Sequence, residues 1–447
     1  MLSDASSKTF YRQSPHSYVV ILGIAYMLSF MDRQILSLMV EPIRRDFGIS
    51  DLQVALLQGI AFAALYAVSS LPAAYFADRW SRTKLIAGAI WLWSVMTFAC
   101  GLARTYPILW IARAGVGVGE SVLSPATYSL LADVYPARKL PRALAVFTMG
   151  GIIGGGLGYV LGGFIVGYAS NRDAVTFLGI GVVQPWQAVF MLAGLPGILV
   201  GLLVLFLPEP PRRGIATGAE GDAGPSVPFS SALVFVRARW KAYAGIIAGG
   251  SVLSIFGYAF LSWYPTLLIR IHGLAASSAG VKLGVLYLSI GPLGAYSGAR
   301  LVEELRDRGY ADACPRALLL IALCLIPLSC GLLSTNEAMA LMASAPLILV
   351  LGSWLGVAAS ALQLITPNQM RGQVSALFHI FVNLIGLGVG PVAVALLTGH
   401  LFRADESIDK SLALTIAACG ATGACLFACS LRHYRILHTQ ASAWLHR

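Results

Sequence analysis

The sequence predicts an all-α membrane protein of twelve transmembrane helices, arranged as two six-helix pseudo-repeats. Three observations carry that prediction. Of 447 residues, 57% are hydrophobic and only 11% are charged, against roughly 25% charged residues in soluble domains. The apolar residues gather into about a dozen runs of 17 or more, each long enough to cross ~30 Å of hydrocarbon as a helix. The runs fall into two sets of six on either side of the one long polar segment, 208–240.

Taken in order, the apolar runs place helices at 17–40, 50–76, 84–103, 106–134, 143–169 and 184–207, then at 241–270, 278–302, 315–334, 339–365, 371–399 and 410–432. The first run carries Asp32 and Arg33 and continues into Pro42, unlike a cleavable signal peptide, so helix one is expected to stay in the mature protein. The segment 208–240 holds Pro208, Pro210, Pro211, Arg212 and Arg213 followed by a Gly, Ala and Ser-rich stretch, and reads as a linker. The expected organisation is therefore an N-terminal bundle 1–207, a linker 208–240 and a C-terminal bundle 241–447. The halves read as diverged copies. The turn from Pro136 to Arg142 before helix five is echoed by Pro367 to Arg371 before helix eleven, with the arginines 229 positions apart. Two such repeats imply a rocking transporter with a central site between the halves.

The net charge of +11 is explained by topology. On this helix map, 21 of the 31 Lys and Arg residues fall on the side of both termini and the linker, 8 on the other side and 2 within the membrane. That side is expected to be cytoplasmic, and a basic excess spread over short loops argues against nucleic-acid binding. The absence of an Asn-x-Ser/Thr sequon and the short loops fit a bacterial inner-membrane protein. The seven cysteines form no CxxC pair and read as small core residues. With no nucleotide loop, metal motif or nucleophile elbow, the chain is expected to be neither an enzyme nor an ATP-driven pump, and to carry no cofactor. Gly115, Gly117 and Gly119 lie mid-span with no preceding strand, so they are not a phosphate loop.

Four charges remain inside the membrane: Asp32 and Arg33 on helix one, Arg113 and Glu120 on helix four. Each would cost ~2.5–3.5 kcal/mol at a helix centre unless paired or facing a wet cavity. Arg113 and Glu120 stand two turns apart on one helix face, too far to pair with each other, so helix one is the expected source of partners. Either the quartet only locks two helices together, or it works: an arginine attracts an anionic head group while an acid, Asp32 or Glu120, carries a proton. In the second half, helix eleven offers a polar stripe of Ser375, His379 and Asn383, and helix seven offers Tyr258, Ser262 and Trp263. His379 serves as a ligand or proton relay, or simply hydrogen-bonds its neighbours. The stripes Gly150/Gly154/Gly158/Gly162 and Gly151/Gly155 on helix five read as close helix packing.

The stretch Ala74-Tyr75-Phe76-Ala77-Asp78-Arg79-Trp80-Ser81-Arg82-Thr83-Lys84 resembles the loop between helices two and three of the major facilitator superfamily, with Ala74 and Ser81 at the two customary glycines. Within that superfamily, Phe30-Met31-Asp32-Arg33-Gln34, the run from Arg113 to Glu120-Ser121, and Gly156-Leu157-Gly158-Tyr159 resemble the Spinster family of lysolipid exporters. The resemblance implies the major facilitator fold in a monomer, and transport of amphipathic lysolipids such as lysophospholipid or sphingosine-1-phosphate, driven by protons. It also implies roles: Asp32 and Glu120 in proton coupling, Arg33, Arg113, Tyr159 and His379 toward substrate, and Asp78 and Arg79 in gating, to which Arg142 of the repeated turn is expected to add. A multidrug or organic-anion exporter of the same fold, and a passive lipid scramblase or sensor, are the alternatives. The partners expected are lipid substrate, protons and membrane lipids.

Overall fold

The computed structural model describes residues 14–136, 139–170, 175–177, 181–212 and 229–445. Twelve long helices follow one another: α1 Pro15–Leu38, α2 Ile60–Arg79, α3 Arg82–Gly101, α4 Tyr106–Val134, α5 Leu140–Ser170, α6 Pro185–Leu205, α7 Trp240–Arg270, α8 Ala276–Asp307, α9 Ala313–Ser329, α10 Glu337–Leu364, α11 Arg371–Leu396 and α12 Ile408–Leu445. Eleven helical segments are long and apolar enough to cross a membrane. Among the twelve, α4 stands outside that set, and it is the helix that carries Arg113 and Glu120.

Several boundaries differ from the sequence reading for local reasons. The first apolar run breaks at Met39, after which Val40–Phe47 forms a short amphipathic helix ended by Gly48 in the left-handed region at φ 62°. The second run is interrupted at Gly59, so Asp51–Gln58 precedes α2 as a separate helix, opened by a Ser50–Gln53 capping box. A small antiparallel hairpin, Val175–Phe177 with Gly181–Val183, lies between α5 and α6 where only a loop was expected. The segment 208–240 is more than a tether, because its end folds as a helix, Phe229–Ala238. Residues 213–228 of it lie outside the described residues.

The chain divides into two compact units, Met1–Ala219 with Ala275–Val285, and Glu220–Leu274 with Leu286–Arg447. In the first, α1 packs on α5, α2 on α4, and α3 on both α4 and α6. In the second, α7 packs on α11 and α9 on α12, repeating the α1–α5 and α3–α6 pairings. The glycines explain how the first of these pairings comes so close. A Cβ on Gly158 would stand 2.9 Å from the Cα and carbonyl oxygen of Met31, and Gly150 and Gly154 likewise abut the α1 backbone at Gly23 and Met27. On α11, Gly390 meets α7 in the same manner at Ile255 and Ala259. Without a hydrophobic driving force between helices in lipid, such backbone approach is a main source of packing energy. The expectation that the α5 stripe serves packing is met at these positions.

The glycines of α4 have the same use. A Cβ at Gly117 would strike the Phe62 carbonyl of α2, and one at Gly119 would stand 2.8–3.0 Å from Trp93 and Ala89 of α3. These approaches bring α2 tight against α4 beside its membrane charges, and α3 against another face of the same helix.

Candidate functional site

The first unit gathers its intramembrane charges around α1 and α4. Arg33 spans to Glu120: its Nε and Nη2 donate to Glu120 Oε2 at 3.0 and 2.5 Å. Three rings surround the guanidinium, with centroids 4.8 Å (Phe30), 4.6 Å (Phe62) and 5.8 Å (Tyr66) from Arg33 Cζ. Rings in that range attract a cation through their negative faces, so Arg33 is held by aromatic contact as well as by charge. Asp32 faces a different neighbour. Its Oδ2 accepts a 2.9 Å hydrogen bond from Thr97 Oγ1 on α3, and the residue is only 4% exposed.

Helix one therefore supplies a hydrogen-bonded ion pair to Glu120, whereas Arg113 has only the charge of Asp32 nearby and no hydrogen bond from that helix. Arg113 is 1% exposed, and its Nε and Nη1 have no hydrogen-bond partner among the described residues; Oε1 of Glu120 is likewise unpartnered. A buried guanidinium with unmet donors is costly. The four charged residues thus have distinct circumstances: Arg33 and Glu120 are locked to each other, Asp32 is hydrogen-bonded to a neutral hydroxyl with both arginines near but not in contact, and Arg113 retains capacity for an anion.

In the second unit, Tyr258 Oη on α7 donates to Asn383 Oδ1 on α11 at 3.1 Å, so two of the polar residues expected there do meet. His379 is exposed, and its Nδ1 lies 2.8 Å from the Ser375 carbonyl one turn back on its own helix. Trp263 is buried, with its indole N–H on the Pro391 carbonyl at 2.8 Å, a packing role. Tyr159 is 2% exposed on α5, in the first unit. Arg142 is exposed at the start of α5, and Arg79 lies over the Tyr75 ring at 3.6 Å. The side chain of Asp78 lies outside the described residues.

A second charged centre of the first unit forms around Arg82, a basic residue of the loop motif whose partners the sequence did not indicate. Arg82, at the start of α3, is 1% exposed and gathers the end of α4 and the residues after α6 around itself. It pairs with Asp133 and donates to the Ser129 carbonyl (3.1 Å), Glu209 Oε1 (2.7 Å) and the Pro210 carbonyl (3.1 Å). Glu209 Oε2 in turn accepts from Ser81 Oγ and the Thr83 amide, both at 3.0 Å. Arg212 adds bonds to the Ala77 and Trp80 carbonyls at 2.9 and 2.8 Å. The first residues of the supposed linker are thus clamped to the turn between α2 and α3. The second unit has the same device with the charges exchanged. Asp312, just before α9, is buried and accepts from Arg435 near the end of α12 at 2.9 Å and from Arg316 at 3.2 Å. Position 312 follows 82 by 230 residues and 435 follows 209 by 226, the spacing of the repeat.

Burial alone would raise the Glu209 carboxyl, but the Thr83 amide, Arg82 and Ser81 outweigh it and hold the group below its ordinary 4.5. A group depressed on folding stabilises the fold above its unfolded value and loses that contribution as pH falls through the folded one. The melting temperature of the wild type should exceed that of Glu209→Gln by a constant margin at neutral pH, and the margin should close as pH falls below the ordinary 4.5 and through the lowered value of the folded state. A margin unchanged on acidification would show that the Glu209 charge contributes nothing.

Comparison with known proteins places the chain in a family. The family model described as "Major Facilitator Superfamily" matches residues 22–391. The chain belongs to the major facilitator superfamily. As a member it is a transporter rather than an enzyme, and an integral membrane protein, as its helices indicate. It is 27% identical over 432 residues to an "MFS-type efflux pump" of Mycolicibacterium smegmatis, covering 95% of this chain and 94% of that one. It is 25% identical over 324 residues to a "Sphingosine-1-phosphate transporter" of Danio rerio, covering 68% and 61%. The crystal structure of a bacterial homologue of the human lysosomal transporter Spinster, inward-facing and unoccupied, superimposes with a TM-score of 0.77 at 24% identity, over 96% of this chain and 98% of that one. The resemblance to Spinster proteins read from the motifs is thereby borne out, and with it the major facilitator fold.

Proposed function

We propose that the chain is a proton-coupled, alternating-access carrier of amphipathic lysolipids bearing an anionic head group, such as a lysophospholipid or a phosphorylated sphingoid base. The observation that carries the reading is the unequal state of the four membrane charges. Arg113 is buried with two unmet donor nitrogens, which suits a phosphate arriving with its own charge. Asp32 is bound only to Thr97, so it can gain or lose a proton without breaking an ion pair. Glu120 and Arg33 form a pair that an incoming anion can compete for. Tyr159, Tyr258, Ser375, His379 and Asn383 act toward substrate, and Asp78, Arg79 and Arg142 act in gating. The protein works as a monomer in a bacterial inner membrane, with both termini cytoplasmic, which places the Arg82 clamp on the cytoplasmic side.

The expected signature lies in head-group charge. Arg113→Ala should weaken binding of lysophosphatidylglycerol by about tenfold or more, the value of a charge-assisted hydrogen bond, and leave binding of uncharged monoacylglycerol nearly unchanged. Equal losses for the two would remove Arg113 from head-group recognition. A second reading, export of hydrophobic drugs, is favoured by the similarity to an efflux pump over almost the full length of both chains. Growth protection by the expressed protein across a drug panel would support it, whereas a dedicated lysolipid carrier gives little.

A further inference from the structure

The second unit contains a cleft of about 330 Å³ between α8 and α10 that the transport reading does not use. Its walls are small: Ala295 and Ala299 on α8 face Gly352, Gly356 and Ser360 on α10, and Arg306 stands at its rim. At its inner end the two helices touch, since a Cβ on Gly298 would collide with the Ser353 carbonyl. Farther along they diverge, and a Cβ on Gly356 would meet nothing within 4 Å. The space is therefore built by the sequence, from a tight glycine crossing followed by small residues that leave the diverging helices unfilled. It is in the size range of small-molecule sites.

Charge at the rim is unbalanced. Glu303 also lines the cleft, but Arg300 holds it at 3.0 Å, and Glu304 is taken by Arg308. Asp312, close by in sequence, is shared by two arginines, Arg316 and Arg435. Burial alone would raise its carboxyl, but these two arginines outweigh that and hold it below the ordinary value, keeping it charged. Asp307 follows Arg306 and points about 100° farther round the helix. Among the described residues no carboxylate lies within ion-pairing distance of Arg306, which sits beside Cys314 at the start of α9. Next to the wall residues in sequence stand exposed apolar side chains, Leu293, Tyr296 and Leu355. One end is thus cationic and the other apolar.

We propose that this cleft binds an anionic glycerophospholipid of the surrounding membrane, with Arg306 on the phosphate and the glycerol backbone and first methylenes along the alanine and glycine walls. A guanidinium at the end of an apolar cleft fits a lipid phosphate better than a soluble anion, because the walls contribute nothing to a free ion. Basic pockets between transmembrane helices recognise lipid head groups by this combination. The site is separate from the charges of α1 and α4, and the proposal rests on the transporter reading only in placing the rim at a membrane surface.

The test is lipid binding by the purified full chain in maltoside detergent, read by native mass spectrometry without any gradient, so its result is independent of transport. The probes are dioctanoyl phosphatidylglycerol, dioctanoyl phosphatidylcholine and sn-glycerol 3-phosphate. Wild type should retain phosphatidylglycerol about tenfold more tightly than phosphatidylcholine, and Arg306→Gln should erase that preference. Gly356→Leu, whose Cβ enters open space in the cleft, should abolish binding while keeping the wild-type melting temperature. Ala299→Leu fills the same cleft from the other wall and gives the same result should Gly356→Leu fail to fold. Equal binding of the two lipids, or phosphatidylglycerol binding unchanged when the cleft is filled, overturns the proposal. Glycerol phosphate binding as tightly as the lipid would make this a free-phosphate site and also overturn it.

Discussion

Arg82→Met should lower the stability of the protein by about 3–5 kcal/mol, the cost of removing one partner from a buried ion pair. The magnitude follows from what the substitution leaves behind. Arg82 is 1% exposed and pairs with both Asp133 and Glu209, so its loss strands two carboxylates, one of them on a buried part of α4. The Ser129 and Pro210 carbonyls lose their donor at the same time. Methionine fills much of the volume, so packing contributes little to the change. The measurement is the melting temperature in detergent, together with a cycle in which Asp133→Asn and Glu209→Gln are added to Arg82→Met. Neutralising the stranded carboxylates should recover a large part of the loss, because residues in one network are strongly coupled. A single mutant as stable as wild type would show that the clamp is not structural.

Asp32→Asn should have the opposite profile, with large functional effect and little structural cost. The side chain keeps its shape, and the amide oxygen of asparagine can accept the Thr97 hydroxyl as Asp32 Oδ2 does at 2.9 Å. No ion pair is broken, because the Arg33 partner is Glu120. What disappears is the carboxylate of the cluster that, among the described residues, makes no ion pair. Accumulation of lysolipid against a gradient should therefore be abolished, while exchange of labelled for unlabelled substrate continues near the wild-type rate and the melting temperature stays within about 1 °C. Loss of exchange together with accumulation would assign Asp32 to substrate binding. Accumulation at the wild-type level would remove it from coupling.

Much of the fold can be read from the chain because the membrane imposes a simple rule: a run of apolar residues long enough to span becomes a helix. Eleven of the twelve long helices meet it outright and α4 is the exception, while the pseudo-repeats show because the turn at Arg142 and its echo at Arg371 are local patterns. The breaks at Met39 and Gly59 are not visible, because apolar residues continue through both and only the cap geometry ends the helices. The membrane charges stand out in the sequence through rarity alone, and Arg33 finding Glu120 follows from their being few. Which charge would be left over is a matter of rotation about α4, so the unpaired state of Arg113 and the bond from Thr97 to Asp32 had to come from the structure. The Arg82 clamp is hidden for a different reason. Its members lie 51 and 127 positions from Arg82, and Glu209 reads as one acid in a proline-rich stretch. The echo between Glu209 and Arg435 escapes a sequence comparison of the halves because the charges are exchanged. Only the spacing survives, at 226 residues for that pair and 230 for Arg82 and Asp312.

The central claim is that a proton gradient drives a lysolipid through this protein. Its most direct test is uptake of fluorescent lysophosphatidylglycerol into proteoliposomes containing the wild-type chain, with an imposed pH gradient and with the gradient collapsed by an ionophore. The account predicts uptake above that of empty liposomes that falls to slow equilibration when the gradient is removed. Uptake of the same rate and extent with and without the gradient would contradict it and mark a passive lipid pathway.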